Sequence, residues 1–416
     1  MARSGCSAVI RPRAECLRIR CRWILPIGRP ALESGWIGIS GGIVTSLGQG
    51  IPPGPFIDLE DAIIVPGFVN AHTHLEFSNL QSPLDTSGGL LAWIPRVVAM
   101  RRQRDPHTVC DAITKGIEES LAAGVTAIGD IVTTEYPTKK STDPQIVCLQ
   151  EVLGLSPLSA SRIQTMRTRL ASLRSAGYRV GISPHAPYSL SWTNSHSLCT
   201  EASKHSMVMA MHLGEGPLEE EFTKTSSGPW KDLLQHYDVW PLDRVVRLGT
   251  AADWIMRLSK APRGMIVHGT FFDDVTLGQA SRRRKTLCVV VCPRTTNRLS
   301  DRLPPIQRFL AAGLRVAIGT DSRASNPDLS ILREIELLVS SGLVSPKQAI
   351  SMATHNGAWA LGLERTCGIL APGRPADVVV LQPEKKTGEP YSAIVDPSTI
   401  IRAVLRKGRL VSGSLD

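Results

Sequence analysis

Several features are scarce in this sequence of 416 residues, and each scarcity excludes a class of protein. Only 5% of the residues are aromatic, and the basic clusters lack the interleaved rings that stack on bases in nucleic-acid grooves. No apolar run approaches the roughly 20 residues that span a bilayer, and the arginine-rich start lacks the apolar stretch of a secretion signal. The nine cysteines form no C-x-x-C pair, and no Asn-x-Ser/Thr site occurs. We therefore predict a cytoplasmic globular protein with reduced cysteines and without nucleic-acid or membrane partners.

Positive charge is abundant instead, with a formal net charge of +10 at pH 7. Much of it lies in two basic runs, which are Arg3, Arg11, Arg13, Arg18, Arg20 and Arg22, and then Arg282, Arg283, Arg284 and Lys285. Because neither run accompanies a recognisable nucleic-acid module, we expect both to be solvated surface. The charge remains compatible with an anionic small-molecule substrate.

The hydrophobic pattern divides the chain into three parts. Residues 1–65 and 367–416 carry short β-type runs broken by glycine and proline, whereas 66–366 alternates short apolar strands with longer helical stretches. The predicted strands of the middle part are 63–72, 126–131, 146–153, 179–183, 207–212, 265–268, 287–292 and 315–320. Eight repeated βα units predict an α/β fold of the (β/α)8 TIM-barrel type. We expect the two terminal parts to pair in one small discontinuous β-sandwich domain.

Four side chains that can bind a metal follow these apolar strands. His72 and His74 end the first strand, and positions i and i+2 lie on one face about 6 to 7 Å apart, so both can reach one ion. His212 ends the fifth strand, and Asp321 follows the eighth. The carboxyl ends of all strands meet at one face of such a barrel. Three imidazoles and one carboxylate there predict an open site for one Zn²⁺, or for Fe²⁺ or another divalent ion, per chain.

The motifs around these residues resemble the amidohydrolase superfamily. They are Pro66-Gly-Phe-Val-Asn-Ala-His-Thr-His, His212-Leu-Gly-Glu, Val267-His-Gly, Cys292-Pro-Arg-Thr-Thr-Asn, Gly319-Thr-Asp-Ser, Ala353-Thr-His-Asn-Gly and Gly368-Ile-Leu-Ala-Pro-Gly-Arg-Pro-Ala-Asp. The sequence is most similar to the mononuclear branch, which includes guanine, cytosine, S-adenosylhomocysteine, methylthioadenosine and aminodeoxyfutalosine deaminases. The binuclear branch bridges two metals with a carboxylated lysine at the end of the fourth strand, and this chain has no lysine there.

The resemblance implies catalytic roles for three residues. Glu215, three positions after His212, would accept a proton from the attacking water and pass it to a ring nitrogen of the substrate. His268 and Asp321 would steer the water onto the carbon that bears the amine. The expected reaction is hydrolysis of a C–N bond with release of ammonia.

Four residues are expected to contact the substrate. His185, in His185-Ala-Pro-Tyr, resembles a substrate contact of the nucleoside deaminases, and Glu76 and Trp93 resemble residues of the aminodeoxyfutalosine subgroup. Arg294 follows the seventh strand, where an arginine can form a two-point contact with a carboxylate. These residues favour an adenine-type nucleoside that bears a carboxylate. Our first candidate is 6-amino-6-deoxyfutalosine, and S-adenosylhomocysteine and methylthioadenosine come next.

Other activities fit the same residues. A guanine- or cytosine-type deaminase, a cyclic amidase and a triazine chlorohydrolase would all use this site, and these alternatives stay open because no residue identifies the leaving group. A catalytically silent barrel that only binds ligands is disfavoured, because all four ligands and the proton carrier are present. The cytidine-type zinc deaminases require P-C-x-x-C, whereas Cys288 and Cys292 are separated by three residues. A homo-oligomer is compatible with the sequence.

The sequence departs from the deaminase motifs in two places. The seventh-strand motif usually resembles Cys-Pro-x-Ser-Asn, and the segment from Cys292 to Asn297 is one residue longer. Gly214 and Gly216 replace the commoner alanine and threonine around Glu215, so we expect a wider pocket there. The acidic run that follows is typical of exposed surface and comprises Glu219, Glu220 and Glu221.

Overall fold

The computed structural model describes residues 16–243, 245–385 and 388–416. The predicted surface arginines that lie outside these ranges are Arg3, Arg11 and Arg13. The strands are Leu17–Ile24 (β1), Leu32–Ser40 (β2), Ile43–Gln49 (β3), Ile57–Asp58 (β4), Ile63–Pro66 (β5), Phe68–His74 (β6), Val125–Val132 (β7), Gln145–Val152 (β8), Arg179–Pro184 (β9), Met209–Leu213 (β10), Gly264–His268 (β11), Leu287–Val291 (β12), Arg315–Ile318 (β13), Asp321–Ser322 (β14), Val378–Gln382 (β15), Ile400–Arg406 (β16) and Arg409–Gly413 (β17).

The helices lie mainly between the strands of the middle part. They are Gly89–Arg102 (α1), Pro106–Ala122 (α2), Ala160–Ser175 (α3), Ser195–Lys204 (α4), Glu219–Thr225 (α5), Pro229–His236 (α6), Ala251–Leu258 (α7), Asp274–Arg282 (α8), Pro293–Ser300 (α9), Ile306–Ala311 (α10), Ile331–Ser340 (α11), Pro346–Ser351 (α12), Gly357–Ala360 (α13) and Pro390–Ile394 (α14). Short 3-10 turns cover Leu75–Phe77 and Trp192–Asn194, and a π turn covers Met352–Asn356. Within the described ranges, no helix has the length and hydropathy that crossing a membrane requires.

A parallel sheet forms the barrel. Its order is β13-β12-β11-β10-β9-β8-β7-β6-β14, and β13 and β14 are successive parts of one strand that is interrupted at Gly319 and Thr320. Because β14 pairs in parallel with β6, the eighth strand returns to the first and the barrel closes. A Cβ at Gly319 would lie 2.6 Å from the carbonyl oxygen of His72, so glycine is needed for this close approach. The predicted (β/α)8 fold is confirmed.

The first predicted strand, 63–72, is wrong as a single strand. It consists of β5, which pairs with β1 and β15, and β6, which begins the barrel. Gly67 separates them, and a Cβ at this position would lie 2.0 Å from the hydroxyl oxygen of Thr126. The break was hidden because both strands are buried on both faces and therefore read as one apolar run. The other seven predicted strands agree with β7 to β13 to within two residues at each end.

The two ends of the chain meet in a second sheet, of order β17-β16-β15-β5-β1-β2-β3, with β4 on β1. Antiparallel pairing of β5 with β15 joins the N-terminal and C-terminal segments, as predicted. A buried ion pair between Arg406 and Asp377 lies next to the barrel, and the Arg406 guanidinium also donates to the carbonyl oxygen of Asp143, just before β8, at 2.9 to 3.0 Å. These contacts hold the small β domain against the amino end of the barrel.

The barrel interior is apolar towards its amino end. Interior side chains from the strands, such as Val69, Leu149 and Val290, pack against residues that follow α12. Leu361 follows α13 and packs against the middle of β7. The contact is close: a Cβ at Gly129 of β7 would lie 2.6 Å from the Cδ2 atom of Leu361. This plug closes one end, so the polar side chains can be accommodated only at the other end.

Candidate active site

The four predicted ligands converge at the carboxyl ends of β6, β10 and β14. One ring nitrogen from each of His72, His74 and His212 lies within 4.8 Å of the others. The Oδ1 atom of Asp321 lies 3.7 Å from Nε2 of His72 and 3.5 Å from Nε2 of His74. Three imidazole nitrogens thus lie together, with the Asp321 carboxylate beside two of the rings, and such a donor set could hold one metal ion.

The chemistry of this donor set fits a divalent cation. Both ring nitrogens of His72 and Nδ1 of His74 are buried and have no hydrogen-bond partner among the described residues. Burial lowers the pKa of His72 to about 3 and also lowers the pKa of His74 and of His212 well below the ordinary value. These imidazoles are therefore neutral, which is the form that binds metal. An unpartnered buried polar group costs roughly 1 to 3 kcal/mol, and coordination would remove that cost.

Neighbouring groups orient two of the ligands. Nδ1 of His212 lies 3.0 Å from the carbonyl oxygen of His185, so Nδ1 carries the proton and Nε2 is left for a metal. Oδ2 of Asp321 accepts a hydrogen bond of 3.0 Å from the Ser325 hydroxyl, which leaves Oδ1 towards the imidazoles. Such contacts fix ring and carboxylate orientation before any ion arrives.

The backbone is strained at two residues of the site. His268 has a φ of 74° and Asp321 a φ of 56°, and neither is glycine. The left-handed region costs a non-glycine residue on the order of 1 to 3 kcal/mol and is concentrated at functional sites. His268 ends β11, is buried, and its Nε2 has no hydrogen-bond partner in the described part of the chain.

Glu215 lies beside the ligands with its carboxyl group between two polar side chains. Its Oε1 is 3.6 Å from Nε2 of His268, and its Oε2 accepts a hydrogen bond of 3.1 Å from the Tyr188 hydroxyl. Burial first, and then the negative charge of Asp321, raise the pKa of Glu215 well above its usual range. A carboxyl group that can hold a proton near neutral pH is suited to general acid–base chemistry.

A cavity of about 560 Å³ opens onto this cluster. The predicted site residues that line it are His74, Trp93, His185, His212, Glu215 and Asp321. Trp93 is 9% exposed and donates its indole N–H to the carbonyl oxygen of Ala324 at 3.3 Å, so it both packs and borders the cavity. Nδ1 of His185 lies 2.6 Å from the Ser189 hydroxyl. Trp93 and His185 are therefore in reach of a ligand.

Glu76 does not line this cavity. Its carboxylate accepts from the Arg101 guanidinium at 2.5 Å and from the Thr133 hydroxyl at 3.1 Å, and Arg104 lies 3.7 Å away. It lies in a neighbouring cavity of about 500 Å³, which shares Arg101 and Arg162 with the first. Glu76 is therefore connected to the first cavity through Arg101, which lines both cavities.

The expected contact between Arg294 and a substrate carboxylate is not supported. Both terminal nitrogens of Arg294 donate to Asp328, at 2.6 and 3.0 Å, and the residue is absent from the lining of the cavity. Since α9 begins directly after β12, the side chain is directed to the loop before α11 and finds an internal carboxylate there.

Two expectations about the segment after β10 are also corrected. Gly214 adopts a φ of 60°, and a Cβ there would lie 2.6 Å from Cδ1 of Phe272, so the glycine is needed for a crowded turn and does not widen a pocket. Glu219 is not surface: it is 2% exposed, and burial raises its pKa to about 7. Sequence reasoning missed it because Glu219, Glu220 and Glu221 form one acidic run in the first turn of α5, and no local pattern distinguishes the buried member.

Sequence reasoning also missed the arginines of the cavity. Arg101 and Arg102 end α1, and Arg162 lies in the first turn of α3. No local motif marks them, because they reach the cavity from helices whose placement depends on the barrel. A signal exists only in the apolar spacing of α1, which puts Ile94, Val97 and Arg101 on one face.

Comparisons with known proteins identify the family and the fold. The model of the amidohydrolase family matches residues 63–411. A 5-methylthioadenosine/S-adenosylhomocysteine deaminase from Syntrophomonas wolfei is 25% identical over 84% of this chain and 81% of its own length.

Two solved structures share the fold. Helicobacter pylori aminofutalosine deaminase in complex with methylthio-coformycin superposes with a TM-score of 0.81 at 22% identity, covering 95% of this chain and 100% of that chain. An adenosine deaminase from Xanthomonas campestris with bound zinc gives a TM-score of 0.74 at 19% identity, covering 95% of this chain and 92% of that chain.

Proposed function

The chain belongs to the amidohydrolase family, and on that basis we propose that it is a zinc-dependent aminohydrolase that removes ammonia from an adenine-type nucleoside. The observation that carries the proposal is the convergence of His72, His74, His212 and Asp321 next to Glu215 at one end of a cavity. A cavity of about 560 Å³ lies within the range of roughly 300 to 1,000 Å³ that small-molecule sites occupy.

His72, His74, His212 and Asp321 would hold one zinc ion in this proposal. When bound, a divalent ion lowers the pKa of water towards neutrality and so supplies an activated nucleophile. Glu215 takes the proton of the attacking water and delivers it to a ring nitrogen of the substrate, which its position 3.6 Å from His268 supports. His268 and Asp321 direct the water to the carbon that bears the amine. The second proton of the added water passes to the amine as the C–N bond breaks, so the products are ammonia and the oxo form of the base.

The charge of the cavity wall supports a substrate with an anionic extension. Away from the candidate ligands, the lining includes Arg101, Arg102 and Arg162 against Asp238. Because Arg101 is paired with Glu76, the positive charge available to a substrate comes from Arg102 and Arg162. Arg162 donates to the Leu153 carbonyl oxygen at 2.8 Å, and no carboxylate in the described ranges forms an ion pair with its guanidinium. It replaces Arg294 as the residue placed to bind a carboxylate.

The substrate class follows from the relatives and from this charge. The Syntrophomonas wolfei protein is named for methylthioadenosine and S-adenosylhomocysteine, and the Helicobacter pylori structure for aminofutalosine. We propose 6-amino-6-deoxyfutalosine as the first substrate to test, followed by S-adenosylhomocysteine and methylthioadenosine. We propose that His185 and Trp93, which line the cavity, contact the sugar and the base.

The test measures ammonia release by the zinc-loaded protein from adenosine, methylthioadenosine, S-adenosylhomocysteine and 6-amino-6-deoxyfutalosine. We expect the carboxylated nucleosides to have the higher kcat/KM, and Arg162→Ala to reduce it for them but not for methylthioadenosine. Arg294→Ala is the matched control, because this arginine is paired with Asp328 outside the cavity. Faster deamination of guanine or cytosine, or release of chloride from a triazine alone, would overturn the nucleoside assignment.

A further inference from the structure

Glu219 is a buried carboxylate whose partners are backbone N–H groups. It is the first residue of α5 and is 2% exposed. One oxygen accepts from the N–H of Gly214 at 2.8 Å and the other from the N–H of Glu215 at 3.2 Å. Two successive peptide N–H groups are thus held by one side chain.

The turn that carries Glu215 is held from the opposite side as well. The N–H of Phe271 donates to the carbonyl oxygen of Gly214 at 3.0 Å, and the N–H of Gly269 donates to that of Leu213 at 2.8 Å. Gly214 itself is in the left-handed region against the ring of Phe272. The turn between β10 and α5 is therefore held by backbone hydrogen bonds on one side and by the Glu219 carboxyl group on the other.

Burying the Glu219 carboxyl group costs free energy, because it is removed from water. We take this cost as a sign that Glu219 does more than cap α5. In the part of the chain that the structure describes, no lysine or arginine forms an ion pair with Glu219, whereas its neighbour Glu220 lies 2.9 Å from Nζ of Lys224. A buried charge without a cation is unfavourable unless hydrogen bonds compensate it. Here the compensating bonds come from the peptide groups that carry the side chain of Glu215.

We propose that Glu219 is a positioning residue, which holds the Gly214–Glu215 peptide so that the Glu215 carboxyl group stays between Tyr188 and His268. The proposal rests on the function proposed for Glu215. Glu219 does not line the substrate cavity and does not ligate the metal, so its effect on turnover passes through Glu215. A misplacement of about 1 Å in a catalytic group can cost on the order of 100-fold in rate.

The first experiment compares Glu219→Gln with Glu220→Gln. A glutamine at 219 can accept only one of the two N–H groups and presents an NH2 group to the other. Glu220→Gln makes the same change at the neighbouring residue and leaves both of these hydrogen bonds in place. We expect kcat of Glu219→Gln to fall about 10- to 100-fold, with KM and zinc content unchanged, and Glu220→Gln to match wild type. A kcat within two-fold of wild type for Glu219→Gln would overturn the proposal.

The second experiment separates positioning from general stability through a double variant. If Glu219 acts through Glu215, adding Glu219→Gln to Glu215→Gln lowers kcat little further, because the proton carrier is already lost. Effects that multiply would assign Glu219 a role independent of Glu215. Should Glu219→Gln fold poorly, Glu219→Asp keeps the charge, and the same non-additivity is expected with a smaller loss.

The third experiment does not depend on activity. Hydrogen exchange is followed by mass spectrometry for a peptide that covers 213–216, in zinc-loaded wild type and both single variants. We expect faster exchange there in Glu219→Gln only, with exchange in β11 unchanged. If exchange in 213–216 is unaltered, the positioning contact is wrong, whichever substrate the enzyme uses. If exchange rises but no nucleoside is deaminated by wild type, the substrate proposal fails while the positioning contact stands.

Discussion

The two ends of the barrel are made of the same strands but are filled in opposite ways. At the amino end, Ala358, Leu361 and Cys367 are at most 4% exposed and pack against apolar strand residues. At the carboxyl end, buried imidazoles lack partners among the described residues, and His268 and Asp321 have left-handed backbones. The amino end contributes stability, whereas the carboxyl end holds groups that are unfavourable in the folded protein without a ligand.

The small β domain and the Leu361 plug both lie at the amino end of the barrel, which is the end without the polar site. The ion pair of Arg406 with Asp377 and the insertion of Leu361 both stabilise the amino end. Strain and desolvation at the other end are tolerated because they are offset elsewhere in the same cooperative unit. Substitutions at the two ends should therefore separate into losses of function and losses of stability.

The largest expected effect comes from Asp321→Ala at the carboxyl end. Loss of one of four ligands should weaken zinc binding by more than about 100-fold, since even loss of an outer partner of a ligand costs about 10- to 100-fold. Turnover should become undetectable, while the metal-free variant unfolds at or above the Tm of metal-free wild type because a buried carboxylate next to neutral imidazoles is gone. Metal analysis and thermal unfolding check this. Wild type that retains two tightly bound metals per chain would contradict a mononuclear site.

The next largest effect is expected for Glu215→Gln. The amide fills the same space but accepts no proton, so kcat should fall by about 10²- to 10⁴-fold with zinc retained. Steady-state kinetics measures the fall in kcat, and metal analysis checks that zinc is retained. If turnover stays within a few-fold of wild type, another base must carry the proton.

At the amino end, Leu361→Ala should lower stability and leave activity unchanged, the opposite of the two substitutions above. The side chain is 2% exposed inside the barrel, so its truncation should lower the free energy of unfolding by about 2 to 5 kcal/mol. We expect kcat and zinc content to be unchanged. Leu410→Ala is the matched control, because Leu410 is 47% exposed and should lose little stability. Urea unfolding measures both variants. A large fall in kcat for Leu361→Ala would mean that the two ends are not independent.

The smallest effect should come from Tyr188→Phe, which sharpens the account of the carboxyl end. The hydroxyl donates to Glu215 and lowers the pKa of that carboxyl, opposing burial. Its removal raises the pKa of Glu215 further, so the acid limb of the kcat/KM profile should move to higher pH. A hydrogen bond to a charged group contributes about 1.5 to 3 kcal/mol at most, so we expect roughly a 10-fold loss at neutral pH. Tyr237→Phe, at the rim of the cavity, should leave the profile in place.

Prediction from the sequence succeeded where the alternation of side chains along a strand and the chemistry of single residues were enough to place a group. His72 and His74 share a face because strand side chains alternate, and His212 and Asp321 follow apolar strands whose carboxyl ends must meet in a parallel barrel. The barrel itself followed from eight apolar runs separated by helical stretches. Prediction failed at 63–72, because a continuous apolar run does not reveal where the chain leaves one sheet for another.

The sequence by itself determined the barrel and identified the side chains that meet at its carboxyl end, because strand alternation and the common end of parallel strands bring them together. Their roles as ligands and proton carrier stay predictions. Only the tertiary structure decided the rest. Arg294 is paired with Asp328 while Arg162 faces the cavity, and Glu219 is buried while Glu220 is not. In each case chemically identical side chains differ in their neighbours, and those neighbours come from distant parts of the chain. Burial and pairing of a charge depend on that packing, which no local pattern encodes.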